Sequence, residues 1–214
     1  MEFDFIDVQM DVNMRTTKYG VMHGENASNI IVFIKMGIGS INPEGFNNKY
    51  LKIANKLVDE FGASVVVATT SYKDSAINHM ERDMEYINFL AHSWKIDSPC
   101  IFFFGVSAGA LIGLFGAEKY SEIKAAMYVN MPIALEKSNI IKKQLIKNRN
   151  AVNNQWLIYG DRDNSAFVST FLFEDVIDNK KVKYITVKNA DHHFSGGGSI
   201  EEKFIKLPEL FFND

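Results

Sequence analysis

Ser107 stands between two glycines directly after an apolar run, within the segment IFFFGVSAGA at residues 101–110. Gly105 and Gly109 lie two residues to either side, and they remove side chains that would collide with the neighbouring strand and helix in a sharp turn. A serine hydroxyl is a poor nucleophile near neutral pH, so catalysis would require an imidazole to take its proton and a carboxylate to orient that imidazole. The simpler interpretation of the segment is a tight turn.

Aspartates and histidines follow two later apolar runs, which gives the chain order serine, aspartate, histidine. Asp161 and Asp163 lie in the segment GDRDNSA, and either of them could instead cap a helix that begins near Ser165. His192 and His193 lie in the segment KNADHHF. Neighbouring side chains in an extended loop point in opposite directions, so only one of the two histidines can face the serine.

Short apolar runs alternate with helical patterns along the chain. The runs cover residues 29–34, 64–68, 100–105, 125–130, 155–160 and 182–187. Most of them are continuously apolar, which is typical of strands buried on both faces of a parallel sheet. Helices are expected over 47–62, 78–94, 107–120, 165–178 and 199–207. This alternation predicts an α/β fold in which ligands bind at the carboxyl ends of the strands of a doubly wound, mostly parallel sheet.

The beginning of the chain has a different pattern. The segment FDFIDVQMDV alternates apolar and polar residues as a half-buried strand does, and RTTKYGVMHG could return antiparallel to it. The complete prediction is therefore a three-layer sandwich with an N-terminal antiparallel hairpin. A chain of 214 residues fits a single domain over 1–214.

Composition excludes some classes of protein. The formal net charge is −3 and the basic residues are scattered, which argues against a nucleic-acid partner. No apolar run approaches the ~18 residues needed to span a bilayer, and the N-terminus lacks the basic and apolar regions of a signal peptide. The single cysteine, Cys100, implies no oxidising compartment. A cytoplasmic location is expected, and the oligomeric state, a homodimer included, is left open.

The motifs resemble the α/β-hydrolase superfamily, in particular its small serine esterases with a minimal cap. The segment GVSAG matches the nucleophile elbow G-x-S-x-G of that family, whose triad runs serine, acid, histidine along the chain. The resemblance implies Ser107 as the nucleophile, Asp163 as the acid and His192 as the base. It leaves Asp161 and His193 as the alternatives. The remaining histidines, His23, His79 and His92, are expected on the surface or in solvated turns.

An oxyanion formed on the substrate would need fixed N–H donors. We expect one at the Ala108 amide, where the helix after the serine begins, and the other at the Ile38 amide, after the first long strand. Many α/β-hydrolases carry a His-Gly pair at the second position, whereas this sequence has Met36-Gly37. Because the donors are backbone amides, this difference does not exclude activity.

The resemblance covers roughly residues 28–207 and also implies where a cap would be inserted. The segment available around 131–154 is short, so at most a minimal cap and an open site are expected. Mainly apolar side chains are expected near the mouth of the site, namely Met36, Ile38, Ile41, Phe46, Tyr72, Met131, Ile133 and Phe167. Those expected to bind substrate are Met36, Ile41, Tyr72, Met131 and Phe167. They favour a small-molecule ester or acyl substrate over a charged phosphoester.

The sequence therefore predicts a serine hydrolase that cleaves an ester or thioester through an acyl-enzyme and needs no cofactor. The alternatives are an acyltransferase or small peptidase with the same three residues, and a catalytically silent binding protein of this fold. The segment DHHFSGGG also resembles metal-dependent phosphoesterases. That function requires further aspartate and histidine ligands around two metal ions, and no such cluster occurs upstream, so no metal site is expected.

Overall fold

The computed structural model describes residues 1–9, 16–71, 75–133, 138–177, 181–195 and 197–213. Within these ranges eight strands form one sheet. The strands are β1 (Asp4–Gln9), β2 (Thr16–Met22), β3 (Ile30–Ile38), β4 (Ser64–Thr70), β5 (Cys100–Val106), β6 (Ile123–Val129), β7 (Asn154–Gly160) and β8 (Val182–Val187). Each of the six apolar runs in the sequence corresponds to one of the strands from β3 to β8.

The strand order across the sheet is β1-β2-β4-β3-β5-β6-β7-β8. Strand β2 is antiparallel to both β1 and β4, and every later pairing is parallel. Strand β3 lies in the middle of the sheet, where Phe33 is in register with Val66 on one side and Phe103 on the other. Because β3 and β5 to β8 run in the same direction, the loops that follow them meet at one edge of the sheet.

Helices cover both faces of this sheet. They are α1 (Lys49–Phe61), α2 (Ala76–Ser93), α3 (Ala108–Gly116), α4 (Ser138–Ala151), α5 (Asn164–Leu172), α6 (Glu174–Ile177) and α7 (Gly198–Lys206). Short 3₁₀ turns cover Phe46–Asn48, Ala117–Lys119 and Leu207–Phe211. The single helix expected over 165–178 is two helices, because the chain leaves helical geometry at Phe173, whose side chain is fully buried.

Two apolar cores separate the layers. Helices α1 and α7 pack on one face of the sheet, and α2 to α6 contribute to the core on the other face. The three-layer α/β architecture, with its mostly parallel sheet and N-terminal antiparallel hairpin, is therefore confirmed. None of the described helices is long and apolar enough to cross a membrane.

Helix α1 follows the apolar pattern of the sequence. Its apolar residues lie on one face that is buried against the sheet, with Tyr50, Ile53, Ala54, Leu57 and Val58 in the core. The helix ends at Gly62, which has a φ of 60° and donates its amide to the carbonyls of the last turn. A left-handed residue at this position favours glycine, so the helix ends at Gly62, the last residue of the range expected from the sequence.

The segment 131–154, expected to hold at most a minimal cap, contains α4 among its described residues. Ile141 and Leu145 of this helix are buried in the core with α3 and α6. The apolar residues of this helix therefore pack into the core beside α3 and α6.

A buried ion pair lies beside the carboxyl end of β3. The Lys35 ammonium is 2.6 Å from a carboxylate oxygen of Asp83 on α2, and both side chains are fully buried. Lys35 also donates to the Thr69 carbonyl at 2.9 Å, and the Tyr19 hydroxyl donates to the other Asp83 oxygen at 2.8 Å. This cluster joins three strands and one helix next to the loop that follows β3.

His79 lies one turn before Asp83 on α2 and is also buried, so the expected surface position of His79 is wrong. Burial and the nearby charges of Lys35 and Arg82 lower the pKa of this histidine to about 4. His23 and His92 are exposed, as expected. The buried face of α2 therefore carries the ionisable side chains of His79 and Asp83 beside the apolar side chains of Met80 and Met84.

Replacing Asp83 by alanine should lower the free energy of unfolding by about 3–5 kcal/mol, because Lys35 would stay buried without its counter-charge. The double variant Lys35→Met/Asp83→Leu should recover most of the loss, since an apolar pair replaces both charges.

Glu81→Ala serves as a matched control, because Glu81 lies on the same helix and pairs with Lys119 in solvent. It should change stability by less than about 1 kcal/mol. Urea unfolding of the variants measures these differences, and equal losses for Asp83→Ala and Glu81→Ala would contradict the account.

Candidate active site

Ser107 occupies a strained turn between β5 and α3. Its φ of 54° and ψ of −123° are unusual for a residue with a side chain. The turn is held from both ends: the Ser107 amide donates to the Val129 carbonyl at 2.8 Å, and the Ser107 carbonyl accepts from the Ala110 amide at 2.9 Å. The surrounding backbone thus fixes the direction of the serine side chain.

The glycines on either side of Ser107 allow this turn to pack closely. A Cβ atom on Gly109 would lie 2.1 Å from the Lys35 carbonyl oxygen of the neighbouring strand. A Cβ atom on Gly105 would lie 2.7 Å from the Cα of Ala110 in the helix. Both distances are far below van der Waals contact. The collisions expected from the sequence, one with a strand and one with a helix, are confirmed.

Three side chains from three loops form a hydrogen-bonded chain. The hydroxyl oxygen of Ser107 lies 2.9 Å from Nε2 of His192. On the far side of the ring, Nδ1 of His192 lies 2.5 Å from Oδ2 of Asp163. A carboxylate at Nδ1 favours the tautomer with its proton there, which leaves Nε2 free to accept the serine proton. The arrangement can therefore raise the nucleophilicity of the hydroxyl.

Asp163 also caps helix α5. Its second oxygen, Oδ1, accepts a hydrogen bond from the Ser165 amide at 2.7 Å, while the side chain is almost fully buried. Burial raises the pKa of this carboxyl, but the hydrogen bonds from His192 and Ser165 outweigh that effect and lower it overall. The two roles considered for this aspartate are compatible, because each oxygen serves one of them.

The competing aspartate and histidine occupy different places. Asp161 is exposed, and its carboxylate accepts from the Asn189 amide at 2.7 Å. His193 is exposed and packs edge-on against the ring of His192, with 5.2 Å between the ring centroids. The structure therefore brings His192 and Asp163 to Ser107. Asp161 instead accepts a hydrogen bond from the backbone of Asn189, which lies before the loop that carries His192.

Asn130 holds the histidine loop in place and was not singled out from the sequence. This fully buried residue follows β6 and donates its side-chain amide to the carbonyls of Asp191 and His192, at 3.1 and 2.8 Å. Its side-chain oxygen accepts from the Gly160 amide at 2.9 Å. The sequence contains one signal for this role, which is a polar residue directly after a buried strand. Such a side chain needs hydrogen-bond partners if it is buried.

A cavity of about 540 Å³ opens beside the serine. Of the side chains expected near the mouth, Ile38 and Phe46 line it, together with Ser107, His192 and His193. Ala108 begins α3 directly after the serine, so its amide lies at the amino end of that helix. Of the two backbone positions expected to hold an oxyanion, Ala108 therefore follows the serine directly, and Ile38 belongs to the cavity lining.

Four of the five predicted substrate-binding residues do not line this cavity, namely Met36, Ile41, Met131 and Phe167. Strand β3 continues to Ile38, so Met36 lies within the sheet and its side chain is buried under α1 and α7. Met131 and Ile133 are buried in the core on the other face. Ile41 and Phe167 are largely exposed and are not part of the cavity lining. Tyr72 lies outside the described residues.

The cavity wall comes instead from the beginnings of α1 and α7. The side chains that line the cavity on this side are those of Asn47, Lys49, Tyr50, Glu201 and Phe204. The two helices are joined by the ion pair of Lys52 with Glu201, at 2.6 Å, and by the edge-on packing of Tyr50 against Phe204. Sequence reasoning considered only the loops after the strands and so missed this wall.

The strand order, the strained serine turn after β5 and the aspartate and histidine loops after β7 and β8 together define a class of protein. This chain is a member of the α/β-hydrolase superfamily. Within it, the chain belongs to the BAAT / acyl-CoA thioester hydrolase C-terminal family, whose model matches residues 66–196, more than half of the sequence. No curated protein matches the sequence significantly.

Solved structures share the fold over nearly the whole chain. An α/β serine hydrolase homologue from Coxiella burnetii has a TM-score of 0.71 at 16% identity, covering 97% of this chain and 96% of its own. Est1E from Butyrivibrio proteoclasticus has a TM-score of 0.69 at 12% identity, covering 100% and 98%. An α/β serine hydrolase without a lid from Xanthomonas campestris has a TM-score of 0.66 at 14% identity, covering 99% and 95%.

Proposed function

We propose that this protein is a serine hydrolase that cleaves a carboxylic ester or thioester through an acyl-enzyme. The hydrogen-bonded series from Ser107 through His192 to Asp163 is the observation that supports this function most directly. A structural serine in a turn would not need an imidazole and a buried carboxylate aligned behind it. The same series argues against a catalytically silent binding protein.

In the proposed reaction, the Ser107 oxygen attacks the substrate carbonyl carbon while His192 takes the hydroxyl proton at Nε2. Asp163 stabilises the imidazolium through Nδ1. Collapse of the tetrahedral intermediate breaks the bond to the alcohol or thiol, which leaves with the proton from His192. Water then attacks the acyl-enzyme with the same histidine as base, releasing the acid and restoring the serine.

The negative charge on the tetrahedral intermediate would be stabilised by the backbone amides of Ala108 and Ile38. Ala108 contributes the positive end of α3 as well as its own N–H group. Gly37 keeps the space above the serine open, because a Cβ there would lie 3.1 Å from the Ser107 Cβ. Each such donor typically lowers the reaction barrier by about 3–4 kcal/mol.

The cavity supports a small-molecule substrate. Its volume of about 540 Å³ lies within the range of about 300–1,000 Å³ typical of such sites. The family name, which includes an acyl-CoA thioester hydrolase, supports thioesters beside oxygen esters. The aromatic rings of Phe46, Tyr50 and Phe204 supply an apolar wall for the carbon chain of the substrate.

The test is the hydrolysis of para-nitrophenyl esters and of acyl thioesters with chains of increasing length. We expect turnover of short and medium chains with release of both acid and alcohol or thiol. Competing alcohols and amines are added to the same reactions, since transfer products would reveal an acyltransferase. A purified, folded protein that turns over none of these substrates contradicts the proposed function.

A further inference from the structure

Lys49 places a cation in the wall of the cavity that contains Ser107 and His192. It is the first residue of α1, and its side chain lies over the ring of Phe204, with the ammonium 4.6 Å from the ring centroid. The ammonium donates to the His193 carbonyl, at 3.3 Å. An ammonium has three N–H donors. Within the described part of the chain, one of them is used by the His193 carbonyl, so donors remain available for a ligand.

The acidic residue in the same wall, Glu201, forms no direct ion pair with Lys49 among the described residues. One carboxylate oxygen of Glu201 is 2.6 Å from the ammonium of Lys52, and the other accepts from the Asn47 amide at 3.3 Å. The pKa of Lys49 is lowered overall, because the effect of burial exceeds the opposing effect of the charges of Glu201 and Asp191. A partly buried cation without a direct carboxylate partner is costly unless a ligand supplies the counter-charge.

We propose that Lys49 binds a carboxylate carried by the substrate, so that the enzyme prefers esters or thioesters with a carboxylate group at a distance from the scissile bond. This inference rests on the proposed hydrolase function. One ammonium matches the single charge of a carboxylate. A phosphate carries about −1.5 to −2 charges near neutral pH, which exceeds the single charge of the Lys49 ammonium. The rings of Tyr50 and Phe204 would contact the carbon chain between the two groups.

Matched pairs of esters test this preference. On the acyl side, the mono-para-nitrophenyl ester of adipic acid is compared with para-nitrophenyl hexanoate. On the alcohol side, para-butanoyloxybenzoate is compared with para-butanoyloxybenzamide. In at least one pair, Lys49→Met and Lys49→Gln should lower the charged-to-neutral ratio of kcat/KM by about ten-fold or more, as loss of a charged hydrogen bond does. Lys49→Arg should retain most of the ratio.

Lys56→Met is the matched control. Lys56 lies on the same helix and pairs with Glu60 and Glu209, away from the cavity lining. Its removal changes the protein charge equally and should leave the ratio as in the wild type. If Lys49→Met leaves the ratio unchanged in both pairs, or lowers neutral and charged substrates equally, Lys49 does not recognise a carboxylate. Turnover of the neutral esters by the wild type shows that such a result leaves the hydrolase function intact, whereas no turnover of any ester contradicts both.

Discussion

Ser107→Ala is expected to lower kcat on any hydrolysed ester by about 10⁴- to 10⁶-fold, as removal of the nucleophile does in serine hydrolases of known mechanism. In the proposed reaction the hydroxyl forms the covalent bond to the acyl group, and neither the cavity nor the proposed oxyanion donors can replace it. The alanine side chain fits the same turn, so the folded structure should be retained. Steady-state kinetics on the best para-nitrophenyl ester, with circular dichroism for the fold, measures the effect.

Ser121→Ala provides the matched control for Ser107→Ala. Ser121 is an exposed serine before β6, at the opposite edge of the sheet from the site. Its removal should leave kcat and KM unchanged. Hydrolysis by Ser107→Ala at the wild-type rate would show that the nucleophile lies elsewhere and would contradict the proposed mechanism.

Asp163→Asn is expected to lower kcat by about 10⁴-fold with little change in stability, because its two oxygens serve separate functions. Asparagine caps helices about as well as aspartate, so the hydrogen bond to the Ser165 amide can persist. Towards His192, however, an amide stabilises no imidazolium and favours the wrong tautomer. Kinetics and thermal unfolding of the same preparation separate the two functions.

Asp161→Asn distinguishes the two aspartates left open by the sequence. Asp161 holds the Asn189 amide and does not contact His192 within the described structure, so this variant should keep most of its activity. Loss of activity in Asp161→Asn together with retention in Asp163→Asn would reverse the assignment of the acid.

The sheet and the convergence of the three loops could be predicted from the sequence because the relevant signals are local. Each buried strand is a continuous apolar run, and parallel strands bring their carboxyl ends to one edge whatever the details of packing. The glycines around Ser107 similarly report a close approach that the structure contains. The order of Ser107, Asp163 and His192 along the chain then limits which side chains can meet.

The cavity wall could not be predicted in this way, because it depends on how α1 and α7 pack against each other. Lys49 and Phe204 lie far apart in the sequence and become neighbours only through tertiary contacts. Met36 was misplaced because β3 extends beyond the apolar run that marked it, which keeps that side chain inside the core. The length of a strand depends on its neighbours as well as on its own residues.

The sequence contains a signal from which the buried ion pair of Lys35 could have been predicted. A lysine within the otherwise apolar segment IIVFIKMG requires a counter-charge if the strand is central, and Asp83 shares the buried face of α2 with Met80 and Met84. The spacing of His79 and Asp83, one helical turn apart, places both on that face. What the sequence alone could not supply was the pairing of this helix with β3.

Covalent labelling with a fluorophosphonate tests the central claim most directly, since it requires a serine activated by His192 and Asp163 but no knowledge of the natural substrate. Mass spectrometry of the digested wild type should find a single phosphonyl adduct, located on the Ser107 peptide. The adduct should be absent from Ser107→Ala and should form much more slowly in Asp163→Asn. An unlabelled wild type, or an adduct that forms equally well in Ser107→Ala, would contradict the account.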